Sequence, residues 1–240
     1  MELLNAPAAR ALAREAVRRS LVLLKNDGVL PIRPSARVLV TGPGADSIPM
    51  QCGGWCVTWQ GNDTTNADFP GAESVTVAMS RAVESGGGRL VDGSDLTGPD
   101  RPDVAVLVYG EQPYAEMRGD IQFAIFNAGE PLAQLRRLQH AGIPTVTVFL
   151  SGRPLWVRPE LDASDAFVAA WLPGTEGGGI VDVLIGDAAG RPRYDFSGRL
   201  SFAWPNDRLR AGTQPVAELQ ESWPVGYGLH YAPRASLPEE

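Results

Sequence analysis

Short runs of apolar residues alternate with longer amphipathic stretches along most of the chain. Runs of five to seven residues rich in Val, Leu and Ala stand at 37–41, 104–108, 144–150 and 166–172. Uninterrupted apolar runs of this length are typical of strands buried on both faces, as in a parallel sheet. They predict four strands, to which composition adds a short strand at 89–91. An edge strand is predicted at 199–204, followed by a packed turn at 223–229.

Between these runs, apolar residues recur with the spacing of helices that bury one face. Helices are predicted at 7–25, 74–84, 131–140 and 175–185. Thr175 is expected to be the N-cap of the last one. The alternation of strands and helices, without an internal repeat, predicts an α/β fold: a mostly parallel sheet sandwiched between helices on both faces. Residues 1–240 are expected to form a single domain, with a leading helix and connector at 1–36 and a frayed tail at 233–240.

Acidic residues follow the end of the predicted strand 104–108. Active sites in open α/β sheets lie at the carboxyl ends of strands. Glu111 is the first charged residue beyond this strand, and it is interpreted as a proton-transferring carboxyl group. The alternative is a solvated loop charge, with Arg118 paired to Glu116 or Asp120 at little net benefit.

A second loop, at 51–65, is rich in glycine, amides and tryptophan. Indoles stack on the apolar faces of sugar rings, and amides bind sugar hydroxyls, so this composition suits a neutral sugar. Trp55 either faces such a sugar or plugs the core, and both readings stay open. Trp59 is expected to pack in the core.

The charge of the chain narrows the class of partner. The formal net charge is −7 and the pI is about 5.0. An acidic protein without a basic patch is not expected to bind nucleic acid or an anionic membrane, and no apolar stretch approaches the roughly 20 residues of a membrane helix. The first 20 residues lack the apolar core of a secretory signal, and the sequence leaves the cellular location open.

Candidate metal and cofactor chemistry is sparse. The two cysteines, Cys52 and Cys56, do not match a four-ligand zinc pattern; they are expected to be free thiols, with a local disulfide as the alternative. His140 is expected on a helix, either at the surface or in packing. The glycine-containing turn at 42–46 lacks a third glycine and contains Pro43, so a tight turn is favoured over a phosphate-binding loop. No cofactor and no metal are expected.

Several segments, in order along nearly the whole chain, resemble the C-terminal α/β sandwich domain of glycoside hydrolase family 3, especially its β-glucosidase and exo-β-glucanase members. The segments are Val22–Gly28, Gln51–Trp55, Trp59–Gly61, Gly110–Glu116, Ser151–Pro154, Ala169–Gly174 with Glu176–Gly177, and Gly226–Leu229.

The resemblance implies a two-domain retaining glycosidase. In the family an N-terminal (β/α)₈ barrel supplies the catalytic nucleophile, an Asp followed by Trp, and no Asp in this sequence precedes a Trp. By position, Glu111 matches the general acid/base and Trp55 an indole that faces the sugar beyond the cleaved bond. Glu116 and Asp120 match nearby acids with an expected structural role.

Three hypotheses follow for the function. The first is the acid/base half of a β-glucosidase that acts on β-glucosides or β-glucan oligosaccharides and is inactive without a barrel domain in cis or trans. The second is a non-catalytic carbohydrate-binding or interaction module, and the third is a nucleotide-binding domain. The resemblance also predicts that the loops 51–65 and 110–120 share one face, which carries an exposed apolar patch.

Overall fold

The core of the protein is one six-stranded sheet. The structure, a computed structural model, describes residues 6–121, 124–127, 129–205 and 223–231. The strands are β1 (Val22–Asn26), β2 (Arg37–Thr41), β3 (Arg89–Val91), β4 (Val104–Gly110), β5 (Thr145–Leu150) and β6 (Ala166–Trp171). Their order across the sheet is β1-β6-β5-β4-β2-β3, and every pair is parallel except β1 with β6.

Helices cover both faces of this sheet. They are α1 (Pro7–Ser20), α2 (Ile48–Cys52), α3 (Val75–Glu84), α4 (Gly129–His140), α5 (Arg158–Asp162) and α6 (Gly178–Leu184), with a 3-10 turn at Asn66–Asp68. Helices α1, α3 and α6 pack on one face, and α4 and α5 on the other. The predicted α/β fold, with a mostly parallel sheet between two helical layers, is confirmed.

The central strand β4 shows why its apolar run is uninterrupted. Val104, Val106 and Val108 belong to the core under α1, α3 and α6. Ala105, Leu107 and Tyr109 point the other way, into the core under α4. Since successive side chains of a strand alternate between faces, a strand covered on both sides needs apolar residues at every position.

The predicted helix 7–25 is wrong in its second part. Helix α1 ends at Ser20, Leu21 is extended, and Val22–Asn26 forms the antiparallel edge strand β1. Leu23 lies in one core, whereas Val22 and Leu24 lie in the other. Four consecutive apolar residues from Leu21 satisfy a strand buried on both faces, and over so short a run the helical period does not distinguish the two.

Other elements also differ from the predictions. Gly177, not Thr175, is the N-cap of α6, and the helix begins at Gly178. The predicted edge strand at 199–204 is reduced to one antiparallel bridge between Trp204 and Trp223. The short helix α2, which Pro49 and a Ser47 cap initiate, was not predicted. The predicted frayed tail at 233–240 lies outside the described residues.

Candidate active site

Glu111 follows β4 directly and is anchored by three groups. Its backbone N–H donates to the Leu150 carbonyl at 2.9 Å. Arg153 donates from Nε and Nη2 to the carboxylate Oε1 at 2.9 and 2.7 Å, and the Tyr114 hydroxyl donates to Oε2 at 3.1 Å. The Glu111 side chain is 15% exposed. Both of its oxygens therefore have donors from the chain itself.

Glu116 lies five residues further along, and its surroundings are different. The indole N–H groups of Trp59 and Trp55 both donate to its Oε2, at 2.6 and 3.0 Å. The residue is exposed. Hydrogen bonds from the Trp59 indole, the backbone and the Trp55 indole hold the pKa of Glu116 below its ordinary value, because they stabilise the carboxylate.

Gln60 joins the tryptophan loop (51–65) to the acidic loop (110–120). Its Oε1 accepts from the Ala115 N–H, and its Nε2 donates to the Glu116 carbonyl, both at 2.9 Å. With the two indole contacts, these bonds connect the loops directly. The prediction that both loops share one face is confirmed.

This face exposes large apolar side chains, which we call the loop surface: Trp55, Val57, Trp59, Met117, Ile121 and Leu172. Trp55 is 69% exposed, so the structure decides against its burial in the core. Trp59 is 44% exposed, and its predicted burial is wrong. The indole N–H of Trp59 bonds to an exposed carboxylate, which keeps the ring at the surface. The predicted exposed apolar patch is confirmed.

Close backbone contacts explain two of the glycines in these loops. A Cβ on Gly54 would lie 2.2 Å from the Tyr114 carbonyl oxygen, and one on Gly110 would lie 1.7 Å from that of Leu150. Only glycine permits such approaches. The next residue after Gly54, Trp55, has a φ of 61°, a left-handed conformation that is uncommon for a residue other than glycine.

Arg153 and Gln60 are the site residues that sequence reasoning missed. Arg153 follows β5, which is the neighbour of β4 in the sheet. Because the carboxyl ends of adjacent parallel strands meet at one edge, the order of strands would have indicated this pairing. For Gln60, the only signal in the sequence is that its loop has a composition suited to a sugar.

The remaining candidate groups take plainer roles. Cys52 and Cys56 are both free thiols, the first buried and the second exposed. Burial, with the neighbouring Cys56, raises the pKa of Cys52 to about 12. His140 lies on the predicted helix α4, and of the two readings, surface or packing, the structure gives the surface. In the 42–46 turn the Gly44 N–H donates to the Val108 carbonyl and is therefore not free for a phosphate, which supports a tight turn.

The described ranges can be examined for apolar helices and for clusters of metal-ligating side chains. None of the helices found there is long and apolar enough to span a bilayer. Within the same residues, no three His, Cys, Asp or Glu side chains are grouped closely enough to hold a metal ion.

The fold defines the chain as an α/β sandwich domain with a largely parallel sheet, and comparison with known proteins gives its family. The family model described as the glycosyl hydrolase family 3 C-terminal domain matches residues 21–231. The chain belongs to glycoside hydrolase family 3 and corresponds to the C-terminal domain of that family.

Relatives named as beta-glucosidases agree with this placement. The chain is 33% identical to the lysosomal beta glucosidase of Dictyostelium discoideum over 217 residues, which is 82% of this chain and 26% of that protein. It is 29% identical to the periplasmic beta-glucosidase of Salmonella typhimurium, over 80% of this chain and 28% of the relative. The chain thus spans about a quarter of the length of these relatives.

A solved structure matches over almost the whole chain. The exo-1,3/1,4-beta-glucanase of a Pseudoalteromonas species is 48% identical and superposes with a TM-score of 0.86, covering 99% of this chain and 30% of that one. The architecture is therefore that of a domain within larger glycosidases.

Proposed function

We propose that this chain is the acid/base half of a retaining glycosidase of the β-glucosidase or exo-β-glucanase type. A (β/α)₈ barrel, in the same protein or in a partner, would supply the nucleophile, and the substrate would be a β-glucoside or β-glucan oligosaccharide. The observation that carries the proposal is the loop surface, where a carboxylate lies between two exposed indoles at the carboxyl ends of parallel strands.

The acidic loop offers two carboxyl groups for proton transfer, and Glu111 is the sequence-based choice. Its contacts weigh against it, since Arg153 and Tyr114 occupy both oxygens and leave little surface for a glycosidic oxygen to approach. Glu116 is exposed, and both indole N–H groups donate to the same carboxylate oxygen, Oε2. The geometry therefore favours Glu116 as the proton donor, with Glu111 as a support.

The chemistry asked of this carboxyl group is proton transfer in both steps of a retaining hydrolysis. A retaining enzyme needs two carboxyl groups about 5 to 5.5 Å apart, one as nucleophile and one as acid and later base. A proton donor must carry its proton at working pH, and docking of a barrel would help by desolvating the carboxylate, which raises a pKa. The exposed indoles provide apolar faces for the sugar ring.

The test combines this chain with a barrel domain that carries the nucleophile and compares Glu116→Gln with Glu111→Gln. Loss of a general acid is typically worth about 10² to 10⁴-fold. We expect Glu116→Gln to lose this much activity on glucosides with poor leaving groups and far less in the first step on an activated aryl glucoside. Azide should rescue its second step, because azide attacks without a general base.

Glu111→Gln is the matched variant, since it makes the same chemical change in the same loop. If azide rescues Glu111→Gln and not Glu116→Gln, Glu111 is the acid/base as the sequence predicted. If neither variant shows selective loss and rescue, proton transfer by this loop is refuted.

A non-catalytic sugar-binding module is the second candidate, because the exposed Trp55 and Trp59 rings suit carbohydrate stacking without any barrel. It predicts that the chain alone binds β-glucan oligosaccharides in a calorimetric titration. Trp55→Ala should abolish that binding. No heat of binding to the chain alone would count against this candidate and leave the first one intact.

A further inference from the structure

We propose that Arg153 is a positioning residue that ties the two ends of the acidic loop together and thereby keeps Glu116 between the Trp55 and Trp59 indoles. The inference deepens the proposed function and rests on it for its biological meaning. The physical claim itself concerns only contacts within this chain.

Arg153 reaches both ends of the loop with different nitrogens. Nε and Nη2 donate to Oε1 of Glu111 at the start of the loop, at 2.9 and 2.7 Å. Nη1 donates to the carbonyl of Gly119 near its end, at 2.6 Å. A single side chain thus links the start of the loop to its end. These bonds are separate from the backbone hydrogen bonds of the helices and strands.

Tyr114 fills the space inside this closure. Its ring centroid lies 4.4 Å from the guanidinium carbon of Arg153, and its hydroxyl donates to Oε2 of Glu111. Gly119 packs so closely against the ring that a Cβ there would lie 2.4 Å from it. The middle of the loop, which includes Glu116, therefore has its ends fixed and its inner side filled.

The contacts also specify arginine rather than lysine. Three nitrogens of one planar group donate, in two directions, and the carbon of that group lies over an aromatic ring. An ammonium group is a single point charge that matches neither the fork nor the stacking. The Arg153 side chain is 26% exposed, so solvent competes only in part for these bonds.

The experiment uses the indole N–H signals of Trp55 and Trp59 in the isolated chain, followed by NMR between pH 3 and pH 7. Trp→Phe variants assign the two signals. Because both N–H groups donate to the Glu116 carboxylate, their shifts report its protonation. In the unmodified chain the midpoint should lie below about 4.3, the value of an unperturbed Glu. Circular dichroism at each pH shows that the chain stays folded.

Arg153→Met should move the midpoint toward the unperturbed value and at least halve the change in shift, since the loop is no longer closed. Arg153→Lys should fall between Met and the unmodified chain. Arg89→Met, which removes an exposed ion pair with Asp100 at the other end of the domain, should leave both signals unchanged.

A folded Arg153→Met variant with an unchanged midpoint and amplitude overturns the proposal, even if its stability falls. If that variant does not fold, Arg153→Lys and Glu111→Gln decide in the same way, because each removes part of the closure. If the titration of the variant is altered but its activity in the barrel assay is full, Arg153 still positions Glu116. Only the link between this positioning and catalysis would then be refuted. Absence of any Glu116 effect in that assay, with the expected titration, would refute the proposed function alone.

Discussion

Two surfaces of this domain differ in whether their side chains are satisfied within the chain. Where α1 packs on α6, Arg14 and Arg18 converge on Asp182 with nitrogen-to-oxygen distances between 2.6 and 2.8 Å. The Asp182 side chain is only 16% exposed. On the loop surface, large apolar groups such as Trp55 and Met117 are 69% and 73% exposed.

The difference separates what the domain completes by itself from what it leaves open. At the α1–α6 contact, charges removed from water are paired by residues of the same chain, as partly buried charges require. At the loop surface, apolar area stays in water at a cost in free energy. Clustered exposure of this kind marks surfaces that a ligand or another protein covers. The comparison predicts that substitutions at the first surface affect stability, and those at the second affect binding or reactivity.

The largest effect is expected from Asp182→Ala. It removes the carboxylate that two partly buried guanidinium groups share and leaves Arg14 only its longer 3.3 Å pair with Glu73, so we expect a loss of about 3 kcal/mol in the free energy of unfolding, measured with urea. The control on the same helix is Glu15→Ala, which breaks the exposed pair with Arg19 and should cost less than about 0.5 kcal/mol. Equal losses would remove the contrast between closed and open surfaces.

The same carboxylate gives the stability a pH dependence. Burial alone would raise the pKa of Asp182, but hydrogen bonds and charges from Arg14 and Arg18 outweigh it and hold the pKa below the ordinary value. The stabilisation is therefore fully present above the unfolded-state pKa of about 3.9 and is lost as pH falls through the lower folded-state value. Asp182→Asn should flatten the stability curve below about pH 4; an unchanged curve would exclude this linkage.

A second contrast lies within the tryptophan loop itself. Cys56 is exposed, whereas the thiol of buried Cys52 has its pKa raised to about 12 and is almost wholly protonated at pH 8. Because the thiolate is the reactive form, we expect Cys52 to react with a soluble disulfide reagent at least about 100-fold more slowly than Cys56. Cys56→Ser should remove the fast phase. Two fast phases of similar rate would show that the inner side of this loop opens to solvent.

The smallest expected effect concerns the two indoles. Trp59→Phe removes the largest cause of the lowered pKa of Glu116, so that pKa should rise toward its ordinary value. Trp55→Phe should raise it less, since the 3.0 Å bond is longer than the 2.6 Å bond of Trp59. The titration is followed through the carboxyl carbon of Glu116. A larger rise in Trp55→Phe would reverse this order.

Much of the fold followed from patterns in the chain. The uninterrupted apolar runs predicted the strands β2, β4, β5 and β6, since a strand covered on both sides needs apolar residues throughout. Ser74 capped the predicted helix α3, where its hydroxyl accepts from the Val77 N–H. The run after Leu21 was misassigned because four apolar residues satisfy a helix or a two-sided strand equally well.

The candidate site, like the fold, could be predicted only in part. The amino-acid sequence alone showed which residue types follow the strands and fill the loops: acids after β4, an arginine after β5 and indoles in the tryptophan loop. It determined the family as well, through segments in a fixed order.

Which carboxyl group lies beside the indoles could be seen only in the folded chain. Glu111 and Glu116 are five residues apart in one loop and differ little in sequence context, yet Arg153, 42 residues from Glu111, pairs with the first, and Trp59, 57 residues from Glu116, bonds to the second. Such contacts depend on the order of strands in the sheet and on the path of two loops. Neither leaves a periodic signal, because a loop side chain finds its partner through the fold and not through its spacing along the chain.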